Sequence, residues 1–390
     1  MADRVGLVVA GAGARGAYEA GALSVLLRRL EDEGASPSVL VGTSAGALNV
    51  VALAAYADLG MARAAEEAVG LWSRVTLGDV ASVVGSAWRD VRGLGWQLLT
   101  GRGRLVSLLD TGKLVEHIRG KLDWERLHRN VREGVVQAVA VVATSSATNA
   151  TAVFVLRHDR SRRLPDDRMR DITYVDVEEL RPEHAVASSA IPVAFRPVLV
   201  EEPPDWKGWY VDGGVRVNAP LKPALTLGAG RVAVVATHPD QYPAVRTSLP
   251  APSRRPPDMW GAAGHLLRGA LSDRMVEDLH TLAQVNGLAP KRPATARGKR
   301  VVPFVFAGPQ SEADAGAIGE TAESVFRRNF GGLPRLGRRD LALLSRLVGG
   351  TPREHGELLS YLFFDPAFTV KAAELGAEHA GRSRGWQTGY

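Results

Sequence analysis

A serine between two glycines, Gly42-Thr43-Ser44-Ala45-Gly46, joins the apolar run Val39-Leu40-Val41 to an apolar stretch from Ala45 to Ala57. A strand that passes directly into a helix through such a pentapeptide makes a nucleophile elbow, with the serine hydroxyl held out above a sheet. Gly42 and Gly46 let the chain turn sharply and let neighbouring elements approach closely. The pattern commits this part of the chain to alternating strands and helices. By itself it leaves open what activates Ser44.

A second glycine motif precedes it. Val5 to Ala10 reads as a strand, Gly11-Ala12-Gly13-Ala14-Arg15-Gly16 as a tight loop, and Ala17 to Glu33 as a helix. In that helix Ala20, Leu23, Leu26, Leu27 and Leu30 recur at helical spacing, and Gly34 is placed as its C-cap. The order strand, loop, helix, strand, turn, helix implies a parallel sheet with crossover helices. The expected class is therefore α/β, a central and mostly parallel sheet flanked by helices. Sites in such sheets gather at the carboxyl ends of strands, where both glycine motifs lie.

Further along, Met61 to Ser73 reads as helix, Val135 to Thr144 as a buried central strand, and Ala152 to Arg157 as a strand hairpinned to it. Pro182 to Ala190 reads as a short helix. Trp209-Tyr210-Val211 leads as a strand end into Asp212-Gly213-Gly214, and Arg231 to Thr237 and Val301 to Phe306 read as strands. Helices are expected over 320–330, 338–348, 354–361 and 366–379. The composition shifts at Pro239, which divides the chain into an α/β region, 5–240, and a mainly helical extension, 241–390, packed on the same domain. The 76–107 segment, with Trp88 and Trp96, reads as an ordinary helical insertion or as a lid facing lipid.

With 390 residues, 45% of them hydrophobic, the chain can bury a large core. It has no cysteine, which excludes disulfides, thiolate metal sites and cysteine nucleophiles and fits a reducing cytoplasm. Val5 to Val9 is too short for a signal segment, and no run reaches the roughly 18 apolar residues of a spanning helix. The net charge of +6 concentrates in 157–170, 253–256 and 291–300. These segments read as solvated loops or, with the tryptophans, as peripheral contact with an anionic membrane surface. They lack interleaved aromatics and match no nucleic-acid module, so nucleic acid is not an expected partner.

The first glycine loop matches Gly-x-Gly-x-x-Gly, but the second strand ends Val41-Gly42-Thr43-Ser44 without the carboxylate that holds a ribose. The other use of such a loop is an oxyanion hole, with backbone amides at a helix N-terminus facing developing negative charge. Two partners for Ser44 are open. Asp212 followed later by His238 supplies the chain order of a hydrolase triad. Alternatively Asp212, after an apolar strand and before two glycines, takes the serine proton directly if burial raises its proton affinity.

Taken together, the glycine loop with Arg15, the elbow and the Asp-Gly-Gly motif resemble the patatin-like phospholipase family. A fourth block agrees, Ala187-Ser188-Ser189-Ala190-Ile191-Pro192-Val193-Ala194-Phe195-Arg196-Pro197, as do Asn218 and Pro220. The resemblance covers roughly 5–240. It implies a three-layer α/β/α fold and a lipid acyl hydrolase with lipid as substrate. It implies Ser44 as nucleophile, Asp212 as general base and the amides of the Gly11 to Gly16 loop as oxyanion hole, with no cofactor or metal. Ala12 departs from the family's usual glycine and narrows the loop. Arg15 keeps the family's basic position, as an anchor of the loop or an attractor of a phosphate headgroup. The block around Pro192 is expected to shape the wall beside the dyad. The competing readings are a soluble esterase with a Ser44–Asp212–His238 triad and a lipid-binding pseudoenzyme.

Overall fold

The structure is a computed structural model that describes residues 4–80, 82–83, 109–165, 168, 171–192, 194–241, 274–288, 301–330 and 352–389. Most of the 76–107 insertion, with Trp88 and Trp96, lies outside them, as do the basic segments 253–256 and 291–300 and the expected helix over 338–348.

The chain opens with β1 (Val5–Val9), α1 (Gly16–Asp32), β2 (Pro37–Thr43), α2 (Ala45–Tyr56) and α3 (Met61–Trp72). After α4 (Leu77–Val80) a small antiparallel pair, β3 (Ser82–Val83) and β4 (Leu109–Asp110), precedes α5 (Gly112–Lys121) and α6 (Trp124–Arg132). Then come β5 (Ala138–Ser145), β6 (Thr151–Arg157), β7 (Ile172–Asp176), α7 (Pro182–Ser188), β8 (Val198–Val200) and β9 (Gly208–Asp212). The described chain continues with α8 (Leu221–Thr226), β10 (Arg231–Val235), α9 (Arg274–Leu288), β11 (Phe304–Ala307), α10 (Glu312–Phe330), α11 (Pro352–Leu362) and α12 (Pro366–Gly381).

Among the described residues one nine-stranded sheet carries the fold, in the order β11-β10-β1-β2-β5-β6-β7, with β8 and β9 joined at β5. From β11 to β5 the strands are parallel. β6 forms the expected antiparallel hairpin with β5, and β7 runs parallel to β6. β7 and β8 have no counterpart in the sequence reading.

Side chains alternate between the two faces, as a pleated strand requires. Leu7, Val9, Leu40, Val139 and Val141 join one core cluster, while Val8, Val39, Val41, Ala140 and Val142 join another on the opposite face. Both faces are covered, which explains why these strands read as continuous apolar runs. The last helix packs on the first through reciprocal notches. A Cβ on Gly21 would collide with the Ala373 carbonyl, and one on Gly376 with the Tyr18 carbonyl. The two axes therefore cross closer than side chains would allow.

Candidate active site

β1 and β2 lie side by side, and each ends at a glycine motif. β2 stops at Thr43, which is paired with Val142 of β5. β9 pairs with the next residues of β5, with Asp212 opposite Ala143. β6 occupies the other edge of β5 along its whole length, so β9 takes up the edge that β2 vacates. The two strands meet nearly end to end, and Ser44 and Asp212 arrive at the same point from opposite directions.

The result is a direct hydrogen bond. Ser44 Oγ donates to Asp212 Oδ2 at 2.6 Å, and both side chains are buried. The Gly214 amide donates to the other carboxyl oxygen, Oδ1, at 2.7 Å. Burial pushes the Asp212 carboxyl up from 3.8 to about 7, although the Ser44 and Gly214 hydrogen bonds favour its ionised form. A carboxylate balanced between two protonation states near neutrality suits proton transfer in both directions.

Ser44 adopts φ 55° and ψ −129°, outside the regions open to ordinary residues. Such a conformation costs on the order of 1–3 kcal/mol and persists only where neighbours enforce it. Two neighbours do so here. Ser188 Oγ accepts the Ser44 amide at 2.9 Å and donates to the Val142 carbonyl at 2.5 Å. Ser189 Oγ donates to the Ser44 carbonyl at 2.8 Å. The Ala190 carbonyl then accepts the Asp212 amide at 2.9 Å. Residues 188–190 thus strap the backbone of the serine to the backbone of the aspartate. Sequence reasoning gave this block only a wall-forming role, because two adjacent serines at a helix end carry no local sign of their partners.

His238 does not join this pair. Its Nε2 meets Tyr361 Oη at 2.7 Å, and Ser44 reaches Asp212 with no imidazole between them. The expected alternative of a Ser44–Asp212–His238 triad is not the arrangement observed.

The glycine loop lies beside Ser44. A Cβ on Gly11 would sit 3.0 Å from Ser44 Cβ and would collide with Asn218. Three of the six loop amides are engaged within the protein. Gly11 donates to the backbone and side-chain oxygens of Asn218, Arg15 to the Ala12 carbonyl, and Gly16 to the carbonyls of Gly13 and Ala14. Gly13 has φ 55° and lines the same cleft as Ser44. Arg15 points away from that cleft into the protein, where it is buried, and meets no surface from which a headgroup would approach.

The cleft itself is apolar and open to solvent at its mouth. Ala45, Leu48, Asn49 and Ala52 line it as one helical stripe that begins beside Ser44. At about 1.5 Å per residue, Ala52 stands roughly 12 Å along α2 from the serine. Trp72 closes one side, its Nε1 donating to Asn49 Oδ1 at 2.7 Å. Asn49 Nδ2 in turn donates to the Gly16 carbonyl and to Glu19 Oε2. Glu19 is fully buried, its Oε1 meets no partner among the described residues, and burial pushes its carboxyl well above the usual carboxylate range.

Among the described residues, no group of three or more His, Asp or Glu side chains is placed to hold a metal ion, and no helix is long and apolar enough to cross a membrane.

No curated protein sequence matches the chain. Among solved structures it is similar to VipD from Legionella pneumophila, at 13% identity and a TM-score of 0.29, over 97% of this chain and 67% of that one. It is also similar to the structure of the ExoU–SpcU heterodimer from the type III secretion system of Pseudomonas aeruginosa. That match has 14% identity and a TM-score of 0.28, over 95% of this chain and 74% of that one. The family model described as patatin-like phospholipase matches residues 7–225, a stretch that runs from β1 into α8 and includes the glycine loop, Ser44 and Asp212. That match spans more than half of the chain, and the chain belongs to the patatin-like phospholipase family.

Proposed function

We propose that the protein hydrolyses carboxylic esters of lipids through an acyl-enzyme on Ser44, with Asp212 as the sole general base. The observation that carries this reading is the 2.6 Å hydrogen bond from Ser44 to a buried aspartate at the head of an apolar cleft. Asp212, ionised, takes the Ser44 proton as Oγ attacks the acyl carbonyl. The amides of Ala12, Gly13 and Ala14 receive the developing oxyanion, since those of Gly11, Arg15 and Gly16 serve the loop itself. The protonated Asp212 returns its proton to the leaving alcohol, which leaves the acyl group on Ser44. Water then gives a proton to Asp212 and attacks the acyl ester, and Asp212 passes that proton to the departing Ser44 Oγ, which releases the fatty acid and restores the ionised aspartate.

The stripe from Ala45 to Ala52 takes the acyl chain, an apolar ligand in an apolar wall. The alcohol side of the substrate lies toward solvent, where the headgroup stays hydrated.

A screen of phospholipids, lysophospholipids and neutral glycerides for released fatty acid tests the reading, with Ser44→Ala as control. The expected result is release by the wild type and none by Ser44→Ala. Equal release by both sinks it. A fluorophosphonate probe should label Ser44, and a wild type that resists labelling favours a lipid-binding pseudoenzyme. His238→Ala should keep turnover within about tenfold, whereas a triad histidine is worth on the order of 10⁴ or more.

A further inference from the structure

The family match ends at residue 225, and α11 lies far beyond it. Yet α11 grips the glycine loop at its centre. Arg15 Nε donates to Ser360 Oγ at 2.7 Å, and Nη2 donates to the Glu357 carbonyl at 3.3 Å. The guanidinium carbon lies 4.0 Å from the centroid of the Tyr361 ring. Ser360 Oγ also donates to the Glu357 carbonyl at 2.6 Å, so the hydroxyl that receives Arg15 is itself fixed. On the other side of the loop, a Cβ on Gly13 would fall 2.5 Å from the Tyr361 carbonyl oxygen. The Tyr361 hydroxyl is pinned by His238, which follows β10. Arg15, Ser360 and Tyr361 are all buried.

These contacts bear on the direction of the amides between Gly11 and Arg15. One end of that segment is fixed at Asn218, the other at α11. Donors that stabilise an oxyanion act only if they are aimed before the reaction begins, and a small misplacement costs orders of magnitude in rate. A planar guanidinium with several donors in fixed directions is the side chain best suited to hold a loop in one orientation.

We propose that α11 is part of the catalytic apparatus, with Ser360 and Tyr361 as positioning residues that, through Arg15, hold the amides of Ala12, Gly13 and Ala14 on the reacting carbonyl. This rests on the oxyanion role given to those amides above. The basic residue of the loop then serves geometry and makes no contact with substrate.

Arg15→Lys keeps the charge and loses the fork, and Ser360→Ala removes only the receiving hydroxyl. Both should lower kcat on a soluble ester by about 10–100-fold with KM within about twofold, the signature of an interaction made in the transition state. A loss confined to KM, or to substrates with an anionic headgroup, overturns the proposal in favour of headgroup binding. Hydrogen exchange, which needs no substrate, gives the second reading. Amides 11–16 should exchange faster in both variants while those of β5 stay as in the wild type. Unchanged exchange at 11–16, or an equal rise in every segment, overturns the proposal even if no ester is turned over. A wild type that is inert to esters while its loop exchange responds as expected would instead count against the catalytic reading alone.

Discussion

Thr43 and Asp212 stand in consecutive positions on one edge of β5, opposite Val142 and Ala143, though they come from strands that run in opposite directions. This handover between β2 and β9 delivers a carboxylate to the serine without an intermediary. In the proposed mechanism this arrangement takes the place of a histidine, since the acid is already at hydrogen-bonding distance and burial has raised its proton affinity.

The pH profile of kcat/KM should therefore show a single ascending limb. In the proposed mechanism Asp212 is the base only when ionised, and its carboxyl is raised to about 7. Activity on a soluble short-chain ester should fall about tenfold per unit of pH below that value and level off above it. A profile flat from pH 5 to 8 would remove Asp212 from the role of base.

The same carboxyl links stability to pH. Its affinity for protons is higher in the folded protein than in the unfolded chain, so folding is favoured most below about pH 4 by this group. That advantage is lost as pH rises through about 7. The difference between 3.8 and about 7 corresponds to roughly 4 kcal/mol as an upper bound. Glu19, raised in the same direction by burial, adds to the effect. Asp212→Asn and Glu19→Gln should each raise Tm relative to wild type at pH 8, with the gain shrinking toward pH 4. Melting curves across that range check it, and a gain that is larger at pH 4 than at pH 8 would contradict it.

Ser188→Ala should separate strain from chemistry. It leaves the buried Ser44 amide without its acceptor and the Val142 carbonyl without its Ser188 donor. A stability loss of about 1–3 kcal/mol is expected. The larger effect should be on labelling of Ser44 by a fluorophosphonate, which should slow by at least about tenfold as the serine relaxes from φ 55°. Ser189→Ala removes a hydroxyl shared between the carbonyls of Ser44 and Ala185, the first of which already accepts helical amides, and should be milder on both measures. Equal effects from the two variants would remove the special role given to Ser188.

Ala52→Phe should set a ruler in the cleft. The new ring would fill the stripe roughly 12 Å from Ser44. Each methylene kept out of an apolar site forfeits about 0.8 kcal/mol, close to fourfold in kcat/KM. Short-chain esters should be turned over at rates near wild type while long-chain esters lose progressively. A uniform loss across chain lengths would place the acyl group elsewhere.

The motifs that follow a strand were readable because local chemistry dictates them. A tight turn needs Gly42 and Gly46, and a buried strand shows its apolar run at Val39 to Val41 or Ala138 to Ala143. β8 was missed because three residues, Val198-Leu199-Val200, are too few to show a period. β7 was missed because Ile172 to Asp176 adjoins the charged 165–171 stretch, which masks its alternation. The partners of Arg15 were unreadable for a different reason. Ser360 lies 345 residues away, and neither side chain carries a local sign of the other. The same holds for Ser188 and Ser44, which meet across 144 residues.

The reciprocal notches at Gly21 and Gly376 bear on how the molecule is made. A ribosome releases α1 early and α12 late, and at roughly 5–20 residues per second the first helix waits tens of seconds for the last. Over that interval a glycine-lined apolar face of α1 stays open to chaperones. The turn that precedes α1, which carries the glycine loop, cannot settle against α11 either. The proposed esterase competence should thus not appear before α11 and α12 have been synthesised.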